Sequence, residues 1–281
     1  MTAKHIWITG AGSGIGKSLA LAYADAGHQV VVTGRDREKL NRVAAIYPDK
    51  ITVLVWDVTD DQSCDVVRDA LSLKLGWLDI AIFNAGYCEY TDGAQLETGS
   101  FRRVYDVNVF GIVNGIAVAT PLLSQLNDKP HDAALNSHAS GSSRERGQIV
   151  GVGSLSAMIG MPTAESYGSS KAAANYLLES LRIDIAHKGI DVSVVNPGFV
   201  ETPMTASNAF PMPFLMDADS AAKRIIKGIA ARQHKIQFPK RLHWILAVMA
   251  CFPRLWFVIN RAVLSNSKAS NSNVSSSKPK V

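Results

Sequence analysis

Tyr167 and Lys171 are the residues whose types and spacing most directly suggest chemistry. They lie four positions apart in the helical-looking stretch SYGSSKAAAN, so both side chains should project from one helix face. A phenol, with a reference pKa of about 10, exchanges protons poorly at neutral pH unless a nearby cation lowers that pKa. Lys171 would supply such a cation, although a Tyr-x-x-x-Lys pair alone is common by chance.

The elements that must position this pair follow from the apolar pattern. Short runs rich in β-branched residues predict strands at residues 5–9, 29–33, 52–56, 80–83, 148–152 and 191–195, with helical patterns between them. Runs that are apolar at consecutive positions suit strands buried on both faces, and the intervening helices imply parallel crossovers. The predicted fold is one α/β domain, a doubly wound parallel sheet of the Rossmann type, over residues 1–264.

The first predicted strand leads into a glycine-rich turn, residues 9–16 (TGAGSGIG), and then a helix. Glycines let the backbone turn sharply and approach phosphates, while the N–H groups and dipole of the helix N-terminus attract negative charge. The pattern is TGxxxGxG, with Gly10, Gly14 and Gly16, rather than the strict GxGxxG. Taken alone, such a turn is a weak signal for cofactor binding.

Further short motifs follow in a fixed order along the chain. They are Asp57-Val58 after the third strand, Asn84-Ala85-Gly86 after the fourth, Asn108 in the next helix, Ser154 thirteen residues before Tyr167, and residues 197–202 (PGFVET) after the sixth strand. Except for Asn108, these motifs lie just beyond the carboxyl ends of strands, where open α/β sheets bind ligands. With the glycine turn and the Tyr-x-x-x-Lys pair, this order resembles the short-chain dehydrogenase/reductase family over roughly residues 4–205.

The resemblance implies a catalytic tetrad of Asn108, Ser154, Tyr167 and Lys171. Tyr167 would be the general acid/base, and Lys171 would also hold the nicotinamide ribose. Ser154 would orient the carbonyl oxygen, and Asn108 would position a water that relays protons. Ser156 is of the same residue type as Ser154, but the thirteen-residue offset selects Ser154.

The same resemblance implies a nicotinamide cofactor and its binding residues, with no metal. The expected cofactor-binding residues are Gly10, Ser13, Gly14, Ile15 and Gly16 in the first turn, Arg35, Asp57 and Val58 at the adenosine, Asn84, Ala85 and Gly86 in the cleft, Tyr167 and Lys171, and Pro197, Gly198, Val200 and Thr202, the last two at the nicotinamide carboxamide.

The choice between NAD and NADP depends on the end of the second strand. An acidic side chain there would bind the ribose hydroxyl and repel a 2′-phosphate, whereas an arginine would pair with that phosphate. Counting about twenty residues from the glycines points to Asp36 and NAD. Alignment with the family instead puts Gly34 at the acidic position and Arg35 next, and Asp36 is well placed to cap the following helix. We therefore expect NADP(H) to be favoured over NAD(H).

Composition bears on the compartment and on the kinds of site that the protein can contain. The three cysteines, Cys64, Cys88 and Cys251, are far apart, so we expect neither a disulfide framework nor a metal cluster. The sequence begins without a signal-peptide pattern, and we expect a cytoplasmic protein.

Charge is distributed unevenly along the chain. Residues 220–281 hold 12 of the 29 Lys and Arg and none of the 24 Asp and Glu. Residues 1–219 therefore hold 17 basic and 24 acidic residues, a net charge of −7. No nucleic-acid motif accompanies the basic end, so no nucleic-acid partner is expected.

Two segments are predicted to lie outside the folded core. Residues 127–147 are long for a helix-to-strand connection, and we interpret them as a surface insertion. Its His131 and His138 are better explained as solvated loop residues than as metal ligands. Residues 265–281 form a Ser/Asn/Lys tail that is expected to be disordered.

Two apolar segments leave alternatives open. Residues 204–216 (MTASNAFPMPFLM) follow the Pro-Gly turn, where this family closes over its substrate, and they predict either an apolar lid for an apolar substrate or core packing. Residues 242–261 are apolar, are flanked and interrupted by basic residues, and fall short of a membrane span. They could lie on an anionic membrane surface, cap an entrance for lipid-like substrates, or pack on the body or in a subunit interface.

The sequence thus predicts an NADP(H)-dependent oxidoreductase for a small, apolar carbonyl or alcohol substrate. A non-catalytic sensor or scaffold with this fold is an alternative, but such proteins typically lose a tetrad residue. A sugar-nucleotide epimerase of the related extended group is disfavoured by the glycine spacing and the short C-terminal region. The resemblance also implies a homodimer or homotetramer.

Overall fold

A computed structural model describes residues 3–124, 146–206, 208 and 210–261. In this part of the chain, parallel strands form one sheet in the order β3-β2-β1-β4-β5-β6-β7. The strands are β1 (His5–Thr9), β2 (Gln29–Gly34), β3 (Ile51–Val55), β4 (Ile80–Phe83), β5 (Gly147–Val152), β6 (Ile190–Pro197) and β7 (Lys235–Phe238). The predicted doubly wound parallel sheet is confirmed.

Helices connect the strands and cover both faces of the sheet. They are α1 (Gly14–Asp25), α2 (Arg37–Ala44), α3 (Cys64–Leu75), α4 (Thr98–Tyr105), α5 (Gly111–Ser124), α6 (Glu165–Asp184), α7 (Ala218–Ala230), α8 (Lys240–Cys251) and α9 (Pro253–Arg261). Apolar residues of α1, α2 and α7 pack on one face, and those of α3, α5 and α6 pack on the other.

Alternation along the strands explains why both faces are buried. In β1, Ile6 and Ile8 point into the core beneath α1 and α7, while Trp7 points into the opposite core. All three side chains are fully buried. Burial of each such side chain contributes roughly 1.5–3 kcal/mol, so strands that are apolar at consecutive positions hold helices on both sides.

The structure departs from the sequence prediction at one edge of the sheet. Strand β7 was not predicted, because only Ile236 and Phe238 of its KIQF sequence are buried and Lys235 is exposed. It pairs with β6 in parallel and forms the sheet edge. Residues 125–145, most of the predicted insertion, and the tail 265–281 lie outside the described residues, so both interpretations stay predictions.

The helix from Thr98 to Ser124 is long and apolar enough to span a membrane by length and composition. Its middle, Asp106–Phe110, is a π-helical turn between α4 and α5. The helix belongs to the folded body, because Ile112, Val118 and Leu122 are buried in the core shared with α3 and α6. Helices α8 and α9 pass the same test only as a pair, and they are bent by 109° at the break between them.

Candidate active site

A cleft of about 340 Å³ opens at the carboxyl ends of the strands. It lies where β1 and β4 are neighbours and the chain winds outward in opposite directions, the position at which doubly wound sheets bind ligands. Its lining is Gly10, Gly12, Ser13, Gly14, Ile15, Gly34, Arg35, Asp36, Lys39, Leu40, Trp56, Asp57, Val58, Asn84, Ala85, Gly86, Tyr87, Val107, Val152, Gly153, Ser154, Tyr167, Lys171, Pro197, Gly198, Val200, Thr202, Pro203, Met204 and Thr205.

The glycine turn has the backbone conformation that only glycine adopts readily. Gly10 and Gly14 have φ values of +66° and +54°. Helix α1 begins at Gly14, and the side chain of Ser13 at its N-cap makes no capping hydrogen bond. The N-terminus of α1 therefore points its N–H groups at the cleft, as a bound phosphate would require.

Gly16 lies behind the lining and has a packing role. A Cβ at Gly16 would lie 2.4 Å from Asn84 Nδ2 and 2.5 Å from the Gly10 carbonyl oxygen. The Asn84 amide donates to the carbonyls of Thr9 and Gly10, at 3.2 and 3.0 Å. Thr9 Oγ1 in turn accepts from the backbone N–H groups of Asn84 and Ala85, both at 3.1 Å. These bonds fasten the glycine turn to the end of β4, and the sequence analysis did not identify Thr9.

Arg35 and Lys39 provide positive charge at the end of β2. Arg35 has a largely exposed guanidinium, 4.0 Å from the Asp57 carboxylate. Asp36 accepts from the backbone N–H of Lys39 at 3.0 Å, and these hydrogen bonds lower the pKa of Asp36. Asp36 is thus the N-cap of α2, as the sequence predicted. Lys39 Nζ lies 3.2 Å from the Asp36 carboxylate and was not identified from the sequence.

Tyr167 and Lys171 lie one turn apart at the start of α6. Lys171 is almost fully buried, and its Nζ donates to the carbonyl oxygen of Val152, at the end of β5, across 2.8 Å. The same nitrogen lies 5.8 Å from the centroid of the Tyr167 ring. The hydrogen bond to the strand end fixes the ammonium group in the cleft beside the phenol.

The pKa shifts of this pair correct one expectation from the sequence. Burial raises the pKa of Tyr167, and its hydrogen bond with Ser154 opposes that change only in part. Burial lowers the pKa of Lys171 to about 8. The expected lowering of the phenol pKa by Lys171 is therefore not found here, because desolvation of both groups is the larger effect.

Ser154 is oriented by its neighbour Ser156. Ser154 follows β5 and caps a short 3₁₀ turn, Leu155–Ala157. Its Oγ accepts from the backbone N–H of Ser156 at 3.1 Å and from the Ser156 hydroxyl at 2.9 Å. Because both acceptor positions of the Ser154 oxygen are then used, Ser154 is the donor in its hydrogen bond with Tyr167.

Asn108 lies fully buried in the π-helical turn, behind the cleft lining. Its Oδ1 accepts from the backbone N–H of Tyr87 at 2.8 Å. Its Nδ2 donates to the Tyr87 carbonyl and to Ser170 Oγ, both at 2.9 Å. Both amide protons are therefore used within the protein, so the side chain holds the segment after β4 against α6. The expected role in positioning a water stays a prediction.

The segment after β4 forms one wall of the cleft. Arg103 binds the Glu89 carboxylate through two N–H groups, at 2.7 and 2.9 Å, and holds the pKa of that carboxyl at about 2. Ser166 donates to the Glu89 carbonyl at 3.0 Å. Cys88, from this wall, is half-buried close to Tyr167 and Lys171, and burial raises the pKa of its thiol. Cys64, Cys88 and Cys251 are all free thiols.

The described residues of the segment 200–206, 208 and 210–216, which contains the predicted lid at 204–216, lie along the opposite side of the cleft. Val200 forms a bridge to Met216, and Thr205 Oγ1 donates to the Val200 carbonyl at 2.7 Å. Among the described residues of this lid, Met204, Phe210, Phe214 and Leu215 have exposed side chains. The apolar residues of the lid are therefore largely on its surface rather than in the core.

The predicted site residues thus come together at one place. All of them line the cleft except Gly16 and Asn108, which pack directly behind it. Their assigned roles stay predictions. Among the residues that the structure describes, no group of three His, Cys, Asp or Glu side chains could hold a metal ion. His131 and His138 lie outside those residues.

The fold and the cleft define a Rossmann-type architecture of the kind that binds dinucleotides. Comparison with known proteins identifies the family within this class. A family model for short chain dehydrogenase matches residues 4–211. An uncharacterized oxidoreductase of Myxococcus xanthus is 32% identical over 252 residues, which cover 88% of this chain and 90% of that protein. The chain belongs to the short-chain dehydrogenase/reductase family and is an oxidoreductase, so both predictions are confirmed.

Solved structures agree with this assignment. A short-chain dehydrogenase/reductase from Burkholderia phymatum in complex with NAD has a TM-score of 0.74 at 22% identity, covering 87% of this chain and 92% of that one. A 3-ketoacyl-(acyl-carrier-protein) reductase from Brucella melitensis complexed with NADH has a TM-score of 0.73 at 25% identity, covering 84% and 96%. At 22% identity, the Burkholderia structure shows the similarity of fold alone.

Proposed function

We propose that this protein is an NADP(H)-dependent reductase that interconverts an apolar carbonyl compound and its alcohol, with Tyr167 as general acid/base. The observation that carries the proposal is the placement of Ser154, Tyr167 and Lys171 in the same cleft as the glycine turn at the N-terminus of α1. This arrangement puts proton-donating groups beside a dinucleotide site.

The residues present fit a nicotinamide dinucleotide. The positive-φ glycines and the α1 N-terminus suit a pyrophosphate at one end of the cleft. Lys171 lines the other end of the cleft, where its ammonium group can donate to a ribose hydroxyl. The NADH-bound Brucella relative supports this class of cofactor.

Preference for the phosphorylated form is supported by the charges at the end of β2. No carboxylate side chain can come from Gly34, and Asp36 is engaged by the backbone and ammonium of Lys39. The exposed guanidinium of Arg35 and the ammonium of Lys39 both line the cleft. A 2′-phosphate placed there would gain a bidentate partner in Arg35 and a second cation in Lys39.

The chain's own groups account for the protonation steps. When bound, the cofactor supplies the hydride that adds to the carbonyl carbon. Ser154, which accepts from Ser156, donates a hydrogen bond to the carbonyl oxygen and orients it, and keeps its proton. Burial raises the pKa of Tyr167, so the phenol is protonated at neutral pH, the form that gives a proton to the developing alkoxide. Lys171, fixed on the Val152 carbonyl, stabilises the phenolate that remains.

An apolar substrate is supported by the surroundings of the cleft. Phe210 of the lid packs edge-on against Tyr90 of the opposite wall, with ring centroids 5.6 Å apart, and against Phe199 at 6.0 Å. Tyr90 also hydrogen-bonds Asn208 Oδ1 across 2.5 Å. Aromatic side chains thus join the wall to the lid beside the cleft, and apolar surroundings of this kind favour an apolar molecule.

We further propose a cytoplasmic homodimer or homotetramer. The outer surfaces of α5 and α6 and the π-helical turn expose Phe110, Val113, Tyr176 and Ile183. Large apolar side chains clustered on the outside of neighbouring helices favour a subunit interface. Light scattering coupled to gel filtration would measure the mass of the assembly, and a monomer would contradict this part of the proposal.

A substrate panel tests the function. Purified protein is mixed with NADPH, or separately with NADH, and with aliphatic, steroid-like, fatty-acyl, sugar and aromatic carbonyls, and loss of reduced-cofactor absorbance is followed. We expect turnover to be highest with an apolar carbonyl and with NADPH. Turnover with sugars alone, or with NADH alone, would contradict the proposed substrate class or cofactor preference.

A further inference from the structure

The C-terminal helices α8 and α9 present an unusual amount of apolar surface to solvent. On α8, Leu242 and Leu246 are buried against the body, while Trp244 (64% exposed), Ile245 and Val248 lie on the outer side, and Phe252 (56% exposed) follows directly after the helix. This helix is therefore apolar on both its inner and its outer face, which a helix at the surface of a soluble domain normally is not.

Helix α9 continues the exposed surface in a second direction. Only Trp256 turns inward, where its Nε1 donates to the Gly160 carbonyl across 2.7 Å. Phe257 (64% exposed), Val258 (61%), Leu255 and Ile259 face outward. The two outer faces together, here called the α8–α9 surface, form a contiguous patch of the kind that marks a binding partner.

Charge identifies the partner. Lys240, Arg241, Arg254 and Arg261 are exposed around the α8–α9 surface, and no Asp or Glu occurs anywhere from residue 220 to residue 281. Trp and Phe flanked by exposed Lys and Arg, with no acidic residue nearby, are the pattern of helices that lie in the interface of an anionic bilayer. Each Lys or Arg near such a surface contributes to binding through the negative potential of the lipid headgroups.

The geometry favours lying on the bilayer over spanning it. The 12 residues of α8 extend about 18 Å at 1.5 Å per residue, well short of the roughly 30 Å of hydrocarbon, and α9 turns away by 109°. Residues 265–281 are mostly Ser, Asn and Lys, and their few apolar residues are Ala269, Val274, Pro279 and Val281.

The α8–α9 surface adjoins the cleft. Leu242, Leu246 and Trp256 share a cluster with Leu155 and with Phe199. Leu155 follows Ser154 directly, and Phe199 packs against Phe210 of the lid. The side chains that hold α8 and α9 in place are therefore the ones that border the substrate side of the cleft.

We propose that the α8–α9 surface docks this enzyme on an anionic lipid bilayer, with the lid side of the cleft facing the lipid. The substrate class that follows is a carbonyl or alcohol compound dissolved in the bilayer. This last step rests on the proposed function, whereas the docking itself does not. The family match ends at residue 211, before α8 and α9 begin.

Co-sedimentation of the full chain with vesicles tests the docking without substrate or cofactor. The vesicles are either pure phosphatidylcholine or an equimolar mixture with phosphatidylglycerol. We expect the protein to pellet with the anionic vesicles and to be released by high salt. In the variant Arg241→Glu/Arg254→Glu, binding should fall on the order of ten-fold. The control Lys223→Glu/Arg224→Glu, with the same charge change on exposed residues of α7, should bind like wild type.

An apolar pair of variants separates insertion from charge attraction alone. Trp244→Ser/Phe257→Ser should lose most binding, whereas Val66→Ser/Leu73→Ser, at exposed apolar residues of α3, should retain it. In wild type, tryptophan fluorescence should shift to the blue on anionic vesicles, and the shift should shrink in Trp244→Phe. Thermal unfolding of each variant shows whether it is folded.

Absence of pelleting by the wild-type chain would overturn the proposal, as would equal losses in test and control variants. Gel filtration with light scattering measures the mass of the assembly and tests whether the α8–α9 surface is instead a subunit contact. If Trp244→Ser/Phe257→Ser reduces the mass of the assembly and vesicle binding is absent, the α8–α9 surface is a contact between copies of this chain, and the proposal fails. Turnover of a water-soluble carbonyl without vesicles tests the proposed function separately. A failure of the docking proposal can therefore be distinguished from a failure of the proposed function.

Discussion

Ser156 donates its side-chain hydroxyl to Ser154 Oγ across 2.9 Å, in addition to a backbone N–H bond to the same oxygen at 3.1 Å. The first prediction concerns this relationship. Ser156→Ala removes one of the two bonds that direct the Ser154 proton toward the substrate. We expect kcat to fall about fivefold, the equivalent of one hydrogen bond of about 1 kcal/mol, with unchanged NADPH affinity. Steady-state kinetics and cofactor titration measure both.

Ser169→Ala is the matched control for that variant, because Ser169 is an exposed serine of α6 that bonds only to backbone carbonyls. It should leave kcat unchanged, while Ser154→Ala should lower it further than Ser156→Ala does. A Ser156→Ala enzyme with wild-type kcat would show that Ser154 needs no such orientation.

The second prediction concerns cofactor preference. Arg35→Asp replaces the proposed partner of a 2′-phosphate by a carboxylate that repels it and can bind a ribose hydroxyl. The ratio of kcat/KM for NADPH to that for NADH should fall by at least about 100-fold, since one charge-assisted pair is lost and one repulsion is gained. Arg42→Asp, on the exposed side of α2 away from the cleft, makes the same charge change and should leave the ratio near the wild-type value. An equal ratio in both variants argues against Arg35 as the determinant.

The third prediction concerns the fastening of the glycine turn. Gly16→Ala would place a Cβ 2.4 Å from Asn84 Nδ2 and 2.5 Å from a backbone carbonyl, so the turn or the end of β4 must move. We expect a loss of about 1–3 kcal/mol in the free energy of unfolding and weaker NADPH binding. Gly160→Ala, where a Cβ meets nothing within 4 Å, is the control and should cost little. Urea titration compares the two, and equal stabilities would contradict the close packing.

The fourth prediction concerns the dependence of stability on pH. Burial lowers the pKa of Lys171 to about 8 from an ordinary value of 10.5, so between these values the unfolded chain binds more protons than the folded one. The cost of the buried charge is present below pH 8 and disappears as the pH rises toward 10.5. Without cofactor, wild type should gain about 2 kcal/mol relative to Lys171→Met between pH 7 and pH 9.5.

Urea unfolding of both proteins at the two pH values measures this difference. The raised pKa of Tyr167 adds little, because both proteins contain Tyr167 and an ordinary tyrosine begins to ionise appreciably only near pH 10. A constant difference between wild type and Lys171→Met would mean that Lys171 is not desolvated.

The fold was accessible from sequence because the six predicted strands are largely apolar runs, and all of them except the edge strand β3 are buried along most of their length. Strand β7 escaped notice because an edge strand needs fewer apolar residues, and Lys235 and Gln237 break its pattern. The site motifs could be found from sequence because the residues of the glycine turn and of the Tyr-x-x-x-Lys pair are close together along the chain. Lys39 lies close to Arg35 in sequence, but nothing in the residue types singled it out.

What sequence could not supply depends on contacts between distant segments. Thr9 meets the backbone of Asn84 across 75 residues, so its role is visible only after folding. The predicted direction of the Tyr167 pKa shift was wrong because the prediction considered the nearby lysine but not the burial of the phenol. Desolvation depends on every segment around the phenol, including the wall that carries Cys88.

Tyr167→Phe tests the central claim most directly, because it removes one hydroxyl and keeps the ring beside Lys171. Turnover of the best carbonyl from the panel is measured with NADPH, alongside NADPH affinity by fluorescence titration. We expect kcat to fall about 10²–10⁴-fold, the usual contribution of a general acid, with NADPH affinity within about twofold of wild type. Turnover at the wild-type rate would contradict the assignment of Tyr167 as the proton donor.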